Sequence, residues 1–269
     1  MILKDLISLS DVFAPAAYAE MRRTEWGVLF WDDNNPTKHD INHARILNDE
    51  RFADALAEIR EFYTDKGLVP RVYLCRNQQE TQKETLAANG YKLYGDWGFQ
   101  HFLLTEQNRI PETHQLEIRE LTDSAAVTER LLQNLYGIYQ AEDPDTVNRM
   151  SRLLPRCIES KMCRVWCGYF EGDPACLAMI ADSLYGMQFF DLVETAKQYQ
   201  NRGFARELIS FMVERAERPT FLYSENPTAI RIYEQAGFRP IALSDDPVSW
   251  RAVYERLTIK SQVKKEKIL

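Results

Sequence analysis

The chain contains no run of about 18 apolar residues, the length a helix needs to cross a bilayer, so no membrane span is expected. Its opening, Met1-Ile2-Leu3-Lys4-Asp5, lacks a basic n-region and meets an acid early. A secretory signal is therefore not expected, and the cytoplasm is the expected compartment. Cysteines are few and odd in number: Cys75, Cys157, Cys163, Cys167 and Cys176, with no CxxC pair. That argues against a disulfide framework and for a reducing environment. Paired ligand knuckles are missing too, so no metal is expected, and Cys163 and Cys167 read as packing residues of a strand. Basic charge is in deficit, with 33 Lys and Arg against 40 Asp and Glu and a net charge of −7. Clustered positive charge drives nucleic-acid binding, so that partner is not expected. No P-loop and no Gly-x-Gly-x-x-Gly occurs, which disfavours nucleotide hydrolysis. Low-complexity tracts and short-period repeats are also missing.

What is present fits a soluble globular protein: 45% apolar and 27% charged residues over 269 positions, enough for one large or two medium domains. The polar stretch Thr105-Glu106-Gln107-Asn108-Arg109-Ile110-Pro111-Glu112 is the candidate linker. The expected domains are therefore residues 1–110 and 111–269.

In the first part, Gly27 to Trp31 predicts a strand. Phe52, Leu56, Ile59 and Phe62 recur at helical spacing and Gly67 ends that helix. A strand over 69–75, a helix over 80–89 ending at Gly90, and a long strand over 91–104 with Gly95 and Gly98 as bulges follow. Trp26, Trp31, Tyr94 and Trp97 are either a pocket lining or, more ordinarily, core.

In the second part a strand over 116–121 precedes two amphipathic helices, 123–139 and 144–160. A hairpin turning at Glu171-Gly172-Asp173-Pro174, a third strand over 186–195, a helix over 203–217, a short strand over 220–223 and a helix over 227–236 come next. Strands over 237–241 and 250–257 close the sheet. The basic tail from Lys260 reads as solvated. The implied class is α/β (α+β), a mixed and mostly antiparallel twisted sheet flanked by helices.

The chemistry concentrates after Met187. A strand ending Asp191-Leu192-Val193-Glu194-Thr195 runs through a loop into Gln200-Asn201-Arg202-Gly203-Phe204-Ala205 and an amphipathic helix. A helix start exposes about four unpaired N–H groups and the positive end of the dipole. A diphosphate can sit there if the backbone lets it approach. Gly203 removes a side chain at that place, Ala205 nearly does so, and Arg202 and Arg206 add positive charge. A lone glycine at a helix start is more often only a turn. A second signal follows: Asn226 as N-cap, Pro227 as first helical residue, Tyr233 within the helix and Gly237-Phe238 ending it.

These two stretches together resemble the GNAT superfamily of acyl-CoA-dependent N-acyltransferases. Gln200 to Ala205 matches its Gln/Arg-x-x-Gly-x-Gly/Ala motif, and Asn226, Ala229, Tyr233, Gly237 and Phe238 match its later signature. The resemblance covers about residues 116–258. It implies acetyl-CoA as acyl donor, held by the backbone N–H groups of Asn201, Arg202, Gly203, Phe204, Ala205 and Arg206. Val193, Glu194 and Thr195 would pair with the pantetheine arm and Asn226 would hydrogen-bond it. Tyr233 would act as general acid to the departing thiolate, and a small-molecule amine would accept the acyl group.

Strand alternation places Asp191 on the face of Phe189 and Val193, as candidate base or amine anchor, with a structural ion pair as the equal alternative. Glu194, facing oppositely, and Asp182 are weaker candidates. Thr195, Lys197 and Asn201 depart from the family pattern, and the last two put the loop's shape in doubt. The first part of the chain, with Gly90-Tyr91 mirroring Gly237-Phe238, reads as a degenerate second copy of the fold or a small unrelated α/β domain. The rival functional class is an acyl-CoA sensor that performs no transfer. The sequence leaves open the acceptor, acyl length and oligomeric state.

Overall fold

A computed structural model describes residues 2–108 and 115–257. The chain runs α1 (Leu3–Val12), β1 (Glu20–Arg23), β2 (Gly27–Trp31), β3 (His43–Ile46), α2 (Phe52–Asp65), β4 (Arg71–Leu74), α3 (Arg76–Thr81), α4 (Lys83–Ala88) and β5 (Lys92–Leu104). It continues β6 (Glu117–Glu120), α5 (Glu129–Tyr136), α6 (Thr146–Glu159), β7 (Cys163–Phe170), β8 (Asp173–Asp182) and β9 (Gln188–Thr195). The last elements are α7 (Phe204–Val213), β10 (Thr220–Ser224), α8 (Pro227–Ala236), β11 (Phe238–Ile241) and β12 (Ser249–Glu255). Among the described residues no helix is long and apolar enough to cross a membrane.

The chain separates into two compact units, and the division differs from a single cut at 110/111. Residues 2–18 belong with 100–247, and residues 19–99 belong with 248–257. The reason is long-range pairing: β12 lies antiparallel to both β4 and the first half of β5, returning the C-terminal strand to the N-terminal unit. Half of the candidate linker, from Arg109 onward, lies outside the described residues, as does the basic tail.

In the unit built on residues 19–99 the strand order is β1-β2-β3-β4-β12-β5, all antiparallel except β3 and β4. The apolar stripe of α2 (Phe52, Ala55, Leu56, Ile59, Tyr63) packs on Ala44, Ile46, Val72 and Leu74. The Tyr63 hydroxyl donates to the Phe30 carbonyl at 2.7 Å, so this large ring is buried without an orphaned polar atom. The four aromatics read as a possible pocket do not all come together, although Tyr94 and Trp97 both lie against His39. Trp26 is core and donates to Glu58, and Trp31 packs on Phe62, whereas Trp97 stacks on His39. The single helix expected over 80–89 is two short ones meeting at Gln82.

In the other unit the order is β5-β10-β9-β8-β7-β6, with β11 pairing the end of β5. Every pair is antiparallel except β9 and β10. The core lies between this sheet and α7 and α8, where Phe204, Leu208, Ile209 and Met212 meet Ala178, Ile180, Phe190, Leu222 and Phe238. Fully burying each large apolar side chain of this kind contributes about 1.5–3 kcal/mol. The expected helix over 123–139 starts late. Asp123 caps only a 3-10 turn, and Thr128 caps α5 by accepting from the Leu131 N–H at 3.2 Å.

Gly237 ends α8 in the left-handed region at φ 106°, with its own carbonyl accepting from the Thr105 N–H at 3.1 Å. A Cβ built there would lie 1.8 Å from the Glu106 carbonyl oxygen. Gly237→Ala combines backbone strain with a clash against main chain, and should destabilise this unit by about 3 kcal/mol in urea unfolding. A midpoint unchanged from wild type would contradict the close approach.

Candidate functional site

The two parallel strands β9 and β10 pair at only two positions, Thr220 with Gln188 and Phe221 with Phe189. Beyond Phe189 they part. Among the described residues, β9 from Asp191 to Thr195 then has a strand partner only on its β8 side. A groove of about 340 Å³ opens in the gap, walled by the end of β9, the first turns of α7, and α8.

One end of this groove is the tip of α7. Gly203 precedes the helix at φ 85° and offers no capping side chain, and the first i→i−4 bond is Glu207 N–H to the Gly203 carbonyl at 3.0 Å. The N–H groups of the first turn are therefore left for an outside acceptor. A Cβ on Gly203 would have only the Arg206 guanidinium nearby, at 4.0 Å, so the tip is open and a cation stands beside it. Glu207, the one acid of the first turn, is turned away and accepts from the Leu116 N–H at 3.1 Å. Asn201, where the family pattern has glycine, sits at φ 62°. Asparagine is among the few side chains that tolerate this region, so the loop keeps its course. Gln200 ties the loop to the strand by donating to the Thr195 carbonyl at 3.2 Å. The Arg202 side chain leaves the groove and lies over Phe170, 4.3 Å from the ring centroid, so only its backbone remains for a ligand.

The opposite wall is α8. The Asn226 Oδ1 accepts from the Thr228 N–H at 2.9 Å, which leaves its amide N–H groups for the groove it lines. Pro227 occupies the first helical position, where its missing N–H is not needed. Tyr233 is 7% exposed and packs edge-on to Phe238, with its residue lining the groove. Burial pushes its phenol well up, and the carboxylates of Asp191 and Glu194 push it further.

Strand alternation fails at the end of β9. Leu192 has φ 53°, and the register with β8 slips so that Leu177 pairs with Glu194 but Met179 with Asp191. This bulge shifts the phase of the strand by one residue. Val193 consequently joins Phe190 against the α7 and α8 core. Asp191 and Glu194 come to the same side, the reverse of the arrangement expected from simple alternation. Both charges act on the buried phenols of Tyr136 and Tyr233. Asp191 accepts from the Leu192 N–H at 2.7 Å and from the Tyr18 hydroxyl at 3.5 Å, and it is not among the groove's lining residues. Glu194 lines the groove and accepts from the Tyr139 hydroxyl at 2.8 Å, while burial raises its pKa. Asp182 is occupied elsewhere, by Gln188 and Arg218. Tyr136 and Tyr139 had no sequence signal; they are two aromatics at the end of an amphipathic helix, a pattern that core packing also produces.

Among the described residues no three His, Cys, Asp or Glu side chains are grouped closely enough to hold a metal. The N-terminal unit shares one feature with this arrangement. Its β3 and β4 are also parallel over two pairs, with α2 between them. There the Gln78 amide donates to the Ile46 carbonyl at 2.9 Å and to Asp49 at 2.7 Å, plugging the strand end.

No family model matches the sequence, and no curated protein matches it. Solved structures do. A GCN5-related N-acetyltransferase from Kribbella flavida superposes with TM-score 0.64 at 12% identity, over 96% of this chain and 97% of that one. A conserved protein of unknown function from Staphylococcus epidermidis gives TM-score 0.63 at 10% identity, over 90% and 96%. A putative acetyltransferase of the GNAT family from Novosphingobium aromaticivorans gives 0.54 at 15%, over 94% and 97%. The chain has the GNAT superfamily fold, a mixed and mostly antiparallel sheet flanked by helices.

The open tip of α7 should bind inorganic pyrophosphate, more weakly as salt rises. Ala205→Glu, which leaves Gly203 and its backbone conformation in place, should weaken that binding more than tenfold in a calorimetric titration. Equal affinity in the two proteins would place the anion elsewhere.

Proposed function

We propose that the protein is an N-acyltransferase that moves an acetyl group from acetyl-CoA to an amine. The observation that carries this reading is the continuity of one groove: an uncapped helix tip, an unpaired strand edge and a buried phenol line it together. Each part suits a different portion of the donor. The N–H groups from Asn201 to Arg206, with the Arg206 guanidinium, would hold the diphosphate. The free edge at Val193, Glu194 and Thr195 would pair with the amides of the pantetheine arm as an added strand does. Asn226 would hydrogen-bond the same arm, and Phe204 and Ile209 would supply apolar wall.

Acetyl-CoA supplies an acyl carbon already activated as a thioester. The acceptor nitrogen must arrive without its extra proton, form the C–N bond, and release the sulfur. Backbone donors on the strand edge would stabilise negative charge developing on the carbonyl oxygen. The Tyr233 hydroxyl would donate to the sulfur as the C–S bond breaks. Its raised pKa serves this order of events. A phenol held above its ordinary value stays protonated as an alkyl amine begins to lose its proton, so donor and nucleophile coexist. The second proton of the nitrogen restores Tyr233, and one proton per turnover goes to water. Asp191, on the face of β9 shared with Glu194, remains a candidate for the first deprotonation.

The deciding experiment is a thiol-release screen with acetyl-CoA against a panel of amines. Free thiol released with one acceptor class is the expected result; coenzyme A binding without release from any amine would make the protein a sensor. Tyr233→Phe should lower turnover on the order of 10²-fold with coenzyme A affinity nearly unchanged. Undiminished turnover would remove the acid from the mechanism.

A further inference from the structure

Arg202 stands between two residues in the left-handed region, Asn201 at φ 62° and Gly203 at φ 85°. A side-chain-bearing residue keeps such a conformation where its surroundings over-determine it. The surroundings here are a box of three rings. The Arg202 guanidinium lies 4.3 Å from the centroid of Phe170, 5.0 Å from that of Phe204 and 5.7 Å from that of Tyr199. All three distances fall within the range of cation–π attraction. The rings also meet one another, with centroids 5.2 Å apart for Phe170 and Phe204, 5.8 Å for Phe170 and Tyr199, and 6.0 Å for Tyr199 and Phe204. Tyr199 and Phe204 flank the loop in sequence, whereas Phe170 comes from the end of β7, at the hairpin turn. The start of β8 supplies a second tie from the same hairpin. The Tyr199 hydroxyl donates to the Asp173 carboxylate at 3.2 Å, and Arg130 pairs with that carboxylate. Neither Phe170 nor Arg202 is among the groove's lining residues.

We propose that Arg202 is a positioning residue: its side chain, held in the box of Phe170, Tyr199 and Phe204, fixes the loop so that the N–H groups at the tip of α7 face the groove, and it does not itself touch the donor's diphosphate. This rests on the donor-binding reading given above and goes beyond it, by making the β7–β8 hairpin a working part of the anion site. A guanidinium beside such a tip has two uses. As a ligand it would reach into the groove, and its contribution would fall as salt rises. As an anchor it lies on ring faces, and its contribution depends on those faces. The geometry is of the second kind, and the cation that stands beside the open Gly203 is Arg206. An anchored loop presents its donors already in place. A loop released from the box has to be ordered by the ligand, which weakens binding without removing any contact to it.

The test uses the full chain, with inorganic pyrophosphate as probe. Phe170→Leu removes a ring face but keeps every charge and the groove lining. It should weaken pyrophosphate about threefold to tenfold in a calorimetric titration, and by the same factor at low and at high salt. Arg202→Met should weaken it to a similar degree. The double variant should be little worse than either single one, because both break the same contact. Arg202→Lys, which keeps a cation for the rings, should recover part of the loss. Without any ligand, Phe170→Leu and Arg202→Met should each shift the backbone amide NMR signals of residues 203–206 and leave those of α8 in place. Unchanged loop signals and unchanged affinity in Phe170→Leu would overturn the proposal. So would a loss confined to Arg202→Met that shrinks as salt rises, the mark of a direct phosphate ligand. Coenzyme A titrated in parallel separates the two readings. Loop signals that move in Phe170→Leu, in a protein whose wild type binds neither pyrophosphate nor coenzyme A, would leave the anchor standing and defeat the donor-binding reading.

Discussion

The parting of two parallel strands governs everything at this site. β9 and β10 share hydrogen bonds at two positions only, and each residue of β9 beyond that gains an edge that the sheet leaves unpaired. An unpaired edge inside a protein is costly unless something completes it. Here it opens onto a groove, and the helix that follows β9 starts with its own unpaired N–H groups pointing into the same space. One divergence thus leaves two kinds of backbone donor facing one groove, a strand edge and a helix tip, without using a single dedicated side chain. The N-terminal unit shows the other solution to the same geometry. Its parallel pair parts as early, but the Gln78 amide completes the exposed carbonyl of Ile46 and holds Asp49 at the helix start. An acid fixed there opposes any phosphate.

The bulge at Leu192 is the second constraint, and it is the part that the sequence concealed. A leucine in the left-handed region costs about 1–3 kcal/mol and has no compositional signature, unlike glycine. Alternation is a reliable guide only while the strand keeps its phase. Once the phase slips, Val193 exchanges sides with Glu194, and the acid read as facing away joins Asp191. By contrast, the features that alternation does not touch were legible. Gly203, Asn226, Pro227 and Gly237 act through local backbone chemistry, and each stands in the structure in the role its type implies. The hairpin turn at Glu171 and Gly172 is legible for the same reason, both residues taking positive φ.

Long-range pairing explains the other disagreement. A cut at 110/111 follows from local composition, a polar run with a proline. The division of the chain follows from which strands share hydrogen bonds, and β12 pairs with β4 at a separation no local signal encodes. In the same way α1 carries no mark of the unit it joins; its Ser10 hydroxyl bonds Ser183, far along the sequence, in a fully buried contact.

Two buried acids of the site are shifted in the same direction. Burial raises both the Tyr233 phenol and the Glu194 carboxyl, but the two shifts have opposite uses. A phenol raised above its ordinary value is a poorer acid in water yet stays loaded, and it gains strength as a donor only when charge develops beside it in a dry groove. A carboxylate raised above its ordinary value is a better base and a stronger attractor of cations. Ionised Asp191 and Glu194 both favour the protonated phenol of Tyr233. The same shift sets a direction for stability. A carboxyl whose folded pKa is raised favours the folded state while protonated, and that advantage is lost as pH rises through the folded value.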